Sequence, residues 1–248
     1  MRTVGIDLAA ETARTAMAVL IWADGRATVS ELHVGVDDEV IREAAREADK
    51  LGVDCPIGWP TAFVEVVTAH QRNTLSPPVS SGRDWRRTLA WRATDVDVHA
   101  RTGLTPLSVS ADRIAHAAMR WAAIEAALRE EGHDCNRSGT GLIAEVYPAA
   151  ALKLWGLPHR GYKRAANVAA RHGLVDLVLD AAPWLDLGPH EETCRDSDDA
   201  LDAVLCALVA RAVAVGLTHV APADAPASIE GWIHLPTTDL AHLSAHTV

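Results

Sequence analysis

The first sixty residues alternate short apolar runs with one amphipathic stretch. Residues 3–8 (Thr-Val-Gly-Ile-Asp-Leu) read as a strand ending in an acid. Residues 14–22 and 26–34 are two further strands joined by Ala23-Asp24-Gly25. Asp-Gly is a strong hairpin signal, because both residues tolerate the positive φ that the turn demands. Over 37–51 the apolar positions Val40, Ile41, Ala44, Ala45, Ala48 and Leu51 recur at helical spacing, with Asp37 as N-cap and Gly52 as a stop. The run Gly52-Val53-Asp54-Cys55-Pro56-Ile57-Gly58 then reads as a short buried strand, again ending in an acid.

Beyond Pro60 the pattern changes. An insertion-like stretch, about 60–140, holds a helix at 61–72, a basic irregular segment at 76–111, and a helix from Asp112 to Glu131 with Gly132 behind it. A strand at 142–147 carries Glu145 and ends before Pro148. Short helices are expected around 149–155, 162–172 and 174–181. A long helix over 197–215 has Leu201, Val204, Leu205, Leu208 and Ala212 as its core stripe. The tail has strand-like pieces at 218–220 and 232–235. Strands alternating with helices point to a single α/β domain over 1–248.

Composition narrows the class. With 49% hydrophobic residues the chain can bury a core, which excludes intrinsic disorder. No apolar run approaches the ~20 residues of a membrane span, so no membrane partner is expected. Asp7 interrupts the N-terminal apolar run, so no signal peptide is expected, and four scattered cysteines without a C-x-x-C pair fit a reducing cytoplasm. A net charge of −10 argues against non-specific coating of nucleic acid and leaves room for a local basic patch.

The candidate chemistry is acidic. Asp7 and Asp54 each end an apolar strand, and each alone is an ordinary turn residue. Neighbouring strands lie ~4.7–4.9 Å apart, so the two carboxylates converge if those strands pair. A divalent cation relieves the resulting repulsion. The acids at 196–202 open the long helix. Asp198 and Asp199 suit the helix dipole, whereas Asp202 lies one turn deeper, beside the core stripe, where an acid is costly. Asp199 and Asp202, spaced i,i+3, reach one side of the helix. None of the twelve histidines falls in a metal-binding spacing such as H-E-x-x-H.

Five segments taken in order carry a resemblance: Val4-Gly5-Ile6-Asp7-Leu8-Ala9, Asp54-Cys55-Pro56-Ile57-Gly58-Trp59-Pro60, Arg92-Ala93-Thr94-Asp95, Glu145-Val146-Tyr147-Pro148 and Asp199-Ala200-Leu201-Asp202-Ala203. They resemble the ribonuclease H-like superfamily, specifically domain-of-unknown-function family 429, described as predicted ribonuclease H-like nucleases. The resemblance runs from residue 4 to about 210. It implies an α/β fold: a ribonuclease H-like mixed sheet, an antiparallel meander plus parallel strands, flanked by helices and carrying a largely helical insertion. It implies catalytic acids at Asp7, Asp54, Asp199 and Asp202, with Mg2+ or Mn2+ held by these four. The helix acids are similar to those of Holliday-junction resolvases. The local family pattern adds Glu145 as a further catalytic acid, a departure from the superfamily's usual scheme because its strand is not where the common acids sit.

The implied activity is two-metal hydrolysis of phosphodiester bonds in DNA or RNA. Arg83, Arg86, Arg87, Arg92 and Arg101, interleaved with Trp85 and Trp91, offer phosphate forks and stacking faces. Arg86, Arg87 and Arg92 are therefore candidate substrate contacts, although Arg92 and Asp95 could instead pair with each other. Lys163, flanked by Arg160 and Arg164, is a further phosphate candidate or else part of a solvated helix face. Two other readings stay open. One is a nucleotide-binding protein of the actin and sugar-kinase type, opposed by the absence of a Gly-rich phosphate loop after Asp7. The other is an inactive nuclease core serving as a binding module.

Overall fold

The computed structural model describes residues 1–245. The chain opens with β1 (Arg2–Asp7), β2 (Ala16–Ala23) and β3 (Arg26–Val34), paired in turn as an antiparallel meander. Asp24 and Gly25 make the hairpin turn with φ of 50° and 72°, as the Asp-Gly signal requires. The Asp37 carboxylate caps α1 (Asp38–Arg46) by accepting from the N–H groups of Glu39 and Val40. The helix is shorter than the 37–51 pattern suggested, and Lys50–Asp54 form β4 instead. Ala48 and Leu51 fit either period, so the free edge of β1 decides. Pairing there satisfies a ladder of backbone groups, and Asp49 locks the entry by accepting from the Arg2 N–H at 2.6 Å.

The stretch after Pro60 holds α2 (Thr61–Gln71), α3 (Arg83–Ala90), α4 (Ala93–Thr102) and α5 (Ala115–Glu130). Two of these occupy the segment expected to be irregular. Arg92 is the N-cap of α4, its backbone N–H donating to the Asp95 carboxylate at 2.9 Å. An arginine is not a recognised start signal, which is why the pattern hid the helix. α5 belongs to the core: Ala117, Trp121, Ile124 and Leu128 pack with Val4, Ile6, Ile41 and Val53. With α1 it covers one face of the sheet.

Then follow β5 (Ile143–Val146), α6 (Pro148–Leu154) and α7 (Val168–Ala181). α7 is one helix where the pattern suggested two, because Gly173 is accommodated within it, and residues 162–164 lie before it as loop. The chain continues through β6 (Leu185–Asp186), α8 (Glu191–Asp196), α9 (Asp198–Ala214), α10 (Ala227–Glu230) and β7 (Ile233–His234). β6 is too short to show in the sequence, and the 218–220 piece contributes an isolated bridge from Thr218 to Pro236.

The result is an open α/β fold: a seven-stranded mixed sheet ordered β6-β3-β2-β1-β4-β5-β7, flanked by ten helices among the described residues. β1, β4, β5 and β7 run parallel, and β6 is parallel to β3. α9, buried from Ala200 to Ala212, lies across β1, β2 and β4 on the face opposite α1 and α5. All four cysteines are free and buried. No described helix is long and apolar enough to cross a membrane.

Candidate metal centre

Strand register builds the site. Side chains alternate along a strand, so Gly5 shares a face with Asp7, and Gly52 with Asp54. β1 and β4 pair with Gly5 opposite Gly52 and Asp7 opposite Asp54. The adjacent glycines leave a trough in the sheet, and α9 fills it. A Cβ at Gly5 would lie 2.1 Å from the Ala203 carbonyl oxygen, and one at Gly52 would lie 2.5 Å from that of Cys206. Asp202 stands one helical turn before Cys206, so this close docking carries it over the two strand-end acids. One carboxylate oxygen each from Asp7, Asp54 and Asp202 lie within 4.8 Å of one another. β1 leads away toward β2 and β3, whereas β4 is followed by β5 on the other side. The trio thus stands at the point where strand order reverses, beyond the carboxyl ends of the strands, where open α/β sheets place ligands.

The electrostatics are those of an under-neutralised cluster. Asp202 is fully buried, while Asp7 and Asp54 are half-buried. Asp202 Oδ1 accepts from the Tyr162 hydroxyl at 2.8 Å, and Lys163 Nζ lies 2.5 Å from Oδ2. Among the described residues no protein group donates a hydrogen bond to the Asp7 or Asp54 carboxylate. Burial, then the charges of Asp202 and Asp54, hold the Asp7 carboxyl well above the usual carboxylate range. Burial pushes Asp54 up to about 7 against the pull of the Lys163 ammonium. Burial also raises Asp202, despite Lys163 and Tyr162.

Two expected acids stand apart from this trio. Asp199 is held by Arg14, whose Nε and Nη2 each donate to its carboxylate at 2.9 Å. Glu145, on β5, is buried and receives Arg92 Nη1 and Nη2 at 2.7 Å each, with the Ile57 N–H at 3.3 Å. Arg92, expected to touch substrate, is committed to partners inside the fold. It is 1% exposed, and its Nε, Nη1 and Nη2 donate to Asp95, Glu145 and the Glu230 carbonyl, which uses all five guanidinium hydrogens. A buried guanidinium between two buried carboxylates is a closed internal network.

Beside the trio opens a cavity of about 490 Å³, lined among others by Tyr147, His159, Arg160, Tyr162 and Lys163. Lys163 is on a loop, not a helix face, and it reaches this cavity. Arg86 and Arg87 line a separate shallow groove with Arg83, Trp91 and His99, and the Arg87 guanidinium lies 4.0 Å above the Trp91 ring. No acid lines that groove. Sequence neighbours line the two: Trp91 and Thr105 the groove, Arg92 and Pro106 the cavity.

Sequence reasoning missed Tyr162, and it missed Arg171. The buried Arg171 donates to the carbonyls of Tyr162, Arg195 and Asp196 and so fixes the loop that carries Tyr162 and Lys163. Nothing in the local pattern marks either residue. The repeated Gly-x-Asp of β1 and β4 was a usable signal, since a glycine two residues before a strand-end acid announces a close-packed helix on that acid's face.

Fold and site together define an open α/β protein with a carboxylate trio at its strand ends and a cavity beside it to which Arg160 and Lys163 contribute. The chain belongs to the family described as "Protein of unknown function (DUF429)", whose profile matches residues 5–227. This is the family to which the five ordered segments point. Comparison with curated proteins and with solved structures finds no match.

Proposed function

We propose that this protein is a metal-dependent nuclease whose ions are held by Asp7, Asp54 and Asp202. The observation that carries the reading is the convergence of three carboxylates within 4.8 Å, two of them taking no hydrogen bond from the protein. Hard oxygen donors with spare lone pairs, partly buried and repelling one another, suit Mg2+ or Mn2+. Bound there, such ions lower the pKa of a water and stabilise the leaving oxygen of a phosphodiester. Asp199 stays with Arg14 and Glu145 with Arg92, so neither is assigned to metal. Lys163 and Arg160 face the space that a scissile phosphate would enter, and the separate groove of Arg86 and Arg87 suits backbone further along. The meander followed by parallel strands supports a ribonuclease H-like ancestry for the sheet. Four free cysteines agree with a cytoplasmic setting.

The test is cleavage of single-stranded, duplex and four-way DNA, of RNA and of RNA–DNA hybrids. Each is assayed with Mg2+, Mn2+, Ca2+ or EDTA. Cleavage should require Mg2+ or Mn2+ and vanish in Asp7→Asn with the substrate still bound. Arg86→Ala with Arg87→Ala should weaken binding and reduce the salt slope by about 2, at roughly 0.9 per lost phosphate contact. Cleavage that persists unchanged in Asp7→Asn, or cleavage in none of the metals, would overturn the proposal.

A further inference from the structure

The Lys163 ammonium occupies ground that a metal ion would claim. Its Nζ is 2.5 Å from Asp202 Oδ2, yet the side chain is half-exposed. The contact is a close ion pair between a lysine ammonium and a buried carboxylate. The backbone on either side is fixed. Tyr162 O accepts from Arg171 Nη1 at 2.9 Å, and the Arg164 N–H donates to Asp198 Oδ2 at 3.2 Å. Between these anchors only the flexible lysine stem is free to swing. Arg164 itself adopts φ 76° and ψ 154°, a backbone region that favours glycine. The fold therefore tolerates local strain to present Lys163 at this spot.

We infer that Lys163 is a resident counter-ion of the trio, which holds Asp202 until a divalent cation displaces it and then turns to the substrate's phosphate. The inference rests on the cation reading given above. Three carboxylates this close need positive charge when ionised, and one ammonium supplies only part of it. A divalent ion supplies twice the charge and binds several oxygens at once. Once displaced, the ammonium is left in the cavity beside Arg160 and His159, facing the anion that the ion would also attract.

Removing the charge at Lys163 should therefore shift two affinities in opposite directions. Calorimetric titration of the full chain with Mn2+ should give tighter binding to Lys163→Met than to wild type. The gain is about tenfold if the ammonium holds the acids in nine molecules of ten. In saturating Mg2+, a nucleoside 5′-monophosphate should bind Lys163→Met about tenfold more weakly, the loss of a charged hydrogen-bonding partner. Lys163→Arg, which keeps the charge, should resemble wild type in both titrations. Equal Mn2+ affinity in Lys163→Met and wild type overturns this inference while leaving the cation reading intact. Unchanged monophosphate affinity overturns it likewise. No Mn2+ binding by either protein removes the cation reading itself. Should Lys163→Met not fold, the wild type can be read directly. Its three lysines, Lys50, Lys153 and Lys163, give resolvable NMR signals after ¹³C-dimethylation, which keeps their charge. The Lys163 signal must move on adding Mg2+, and an unmoved signal overturns the exchange.

Discussion

Gly5→Ala adds one methyl group where α9 presses closest on the sheet. The new Cβ would lie 2.1 Å from Ala203 O and 2.2 Å from Ala207 N, about 0.8–0.9 Å short of the 3.0 Å that real Cβ contacts respect. Both obstructing atoms are helix backbone, so no rotamer change relieves the clash, and α9 must lift by about the missing distance. That lift opens a seam along a helix buried from Ala200 to Ala212. Overpacking costs about 1–3 kcal/mol, and an immovable neighbour places this site at about 3 kcal/mol. For a chain of this size that is a fall of about 6–12 °C in Tm. The same lift draws Asp202 away from Asp7 and Asp54, so cation affinity should fall even under conditions where the variant is folded. Gly173→Ala is the control, because a Cβ there meets nothing within 4 Å inside α7. It should raise stability by about 0.5–1 kcal/mol. Thermal melts and urea titrations of both variants, with Mn2+ calorimetry, provide the readout. A Gly5→Ala protein that melts and binds Mn2+ like wild type would refute the docking of α9 on the two glycines, and with it the origin of the site.

Three further outcomes follow from the same coordinates. In EDTA, Asp7→Asn should melt higher than wild type because it relieves repulsion in the trio, whereas Asp202→Asn should melt lower because it removes the buried negative charge that pairs with Lys163; melts of equal direction would contradict this asymmetry. Arg92→Met should cost about 3–5 kcal/mol by leaving buried carboxylates uncompensated, whereas a mere rise in substrate Kd with an unchanged melt would mark Arg92 as a ligand contact instead. The metal-free protein should lose stability as pH rises from 6 to 8, because Asp54 titrates at about 7 in the fold, above its ordinary value. The stabilisation from its bound proton is complete below the ordinary value and vanishes through the folded one. Saturating Mg2+ should reverse the trend by binding the deprotonated acids, and a flat profile in both conditions would count against it.

Much of this arrangement was legible in the chain before its coordinates. The hairpin at Asp24-Gly25, the two strand-end acids and the out-of-place Asp202 all follow from local pattern, because each reports a backbone geometry or a burial cost that depends on few neighbours. The misses have long-range causes. Residues 47–51 fit a helix or a strand, and only the vacant edge of β1 decides between them. Glu145 reads as one more acid of the site until Arg92, 53 residues earlier, is seen to claim both its oxygens. Asp199 is likewise claimed by Arg14 from the far end of the chain. Lys163 read as a phosphate candidate or part of a solvated helix face, because nothing beside it in sequence reveals that Arg171 folds its loop over the acids.

The central claim is that Asp7, Asp54 and Asp202 hold a divalent cation, and the most direct measurement is a crystal structure grown with Mn2+ and recorded at its anomalous edge. An anomalous peak should be bonded by oxygens of all three carboxylates at about 2.0–2.3 Å, within the range of small divalent cations, with the Lys163 ammonium withdrawn from Asp202. A saturating soak that leaves no peak among the three acids, with Lys163 still seated on Asp202, would contradict the account.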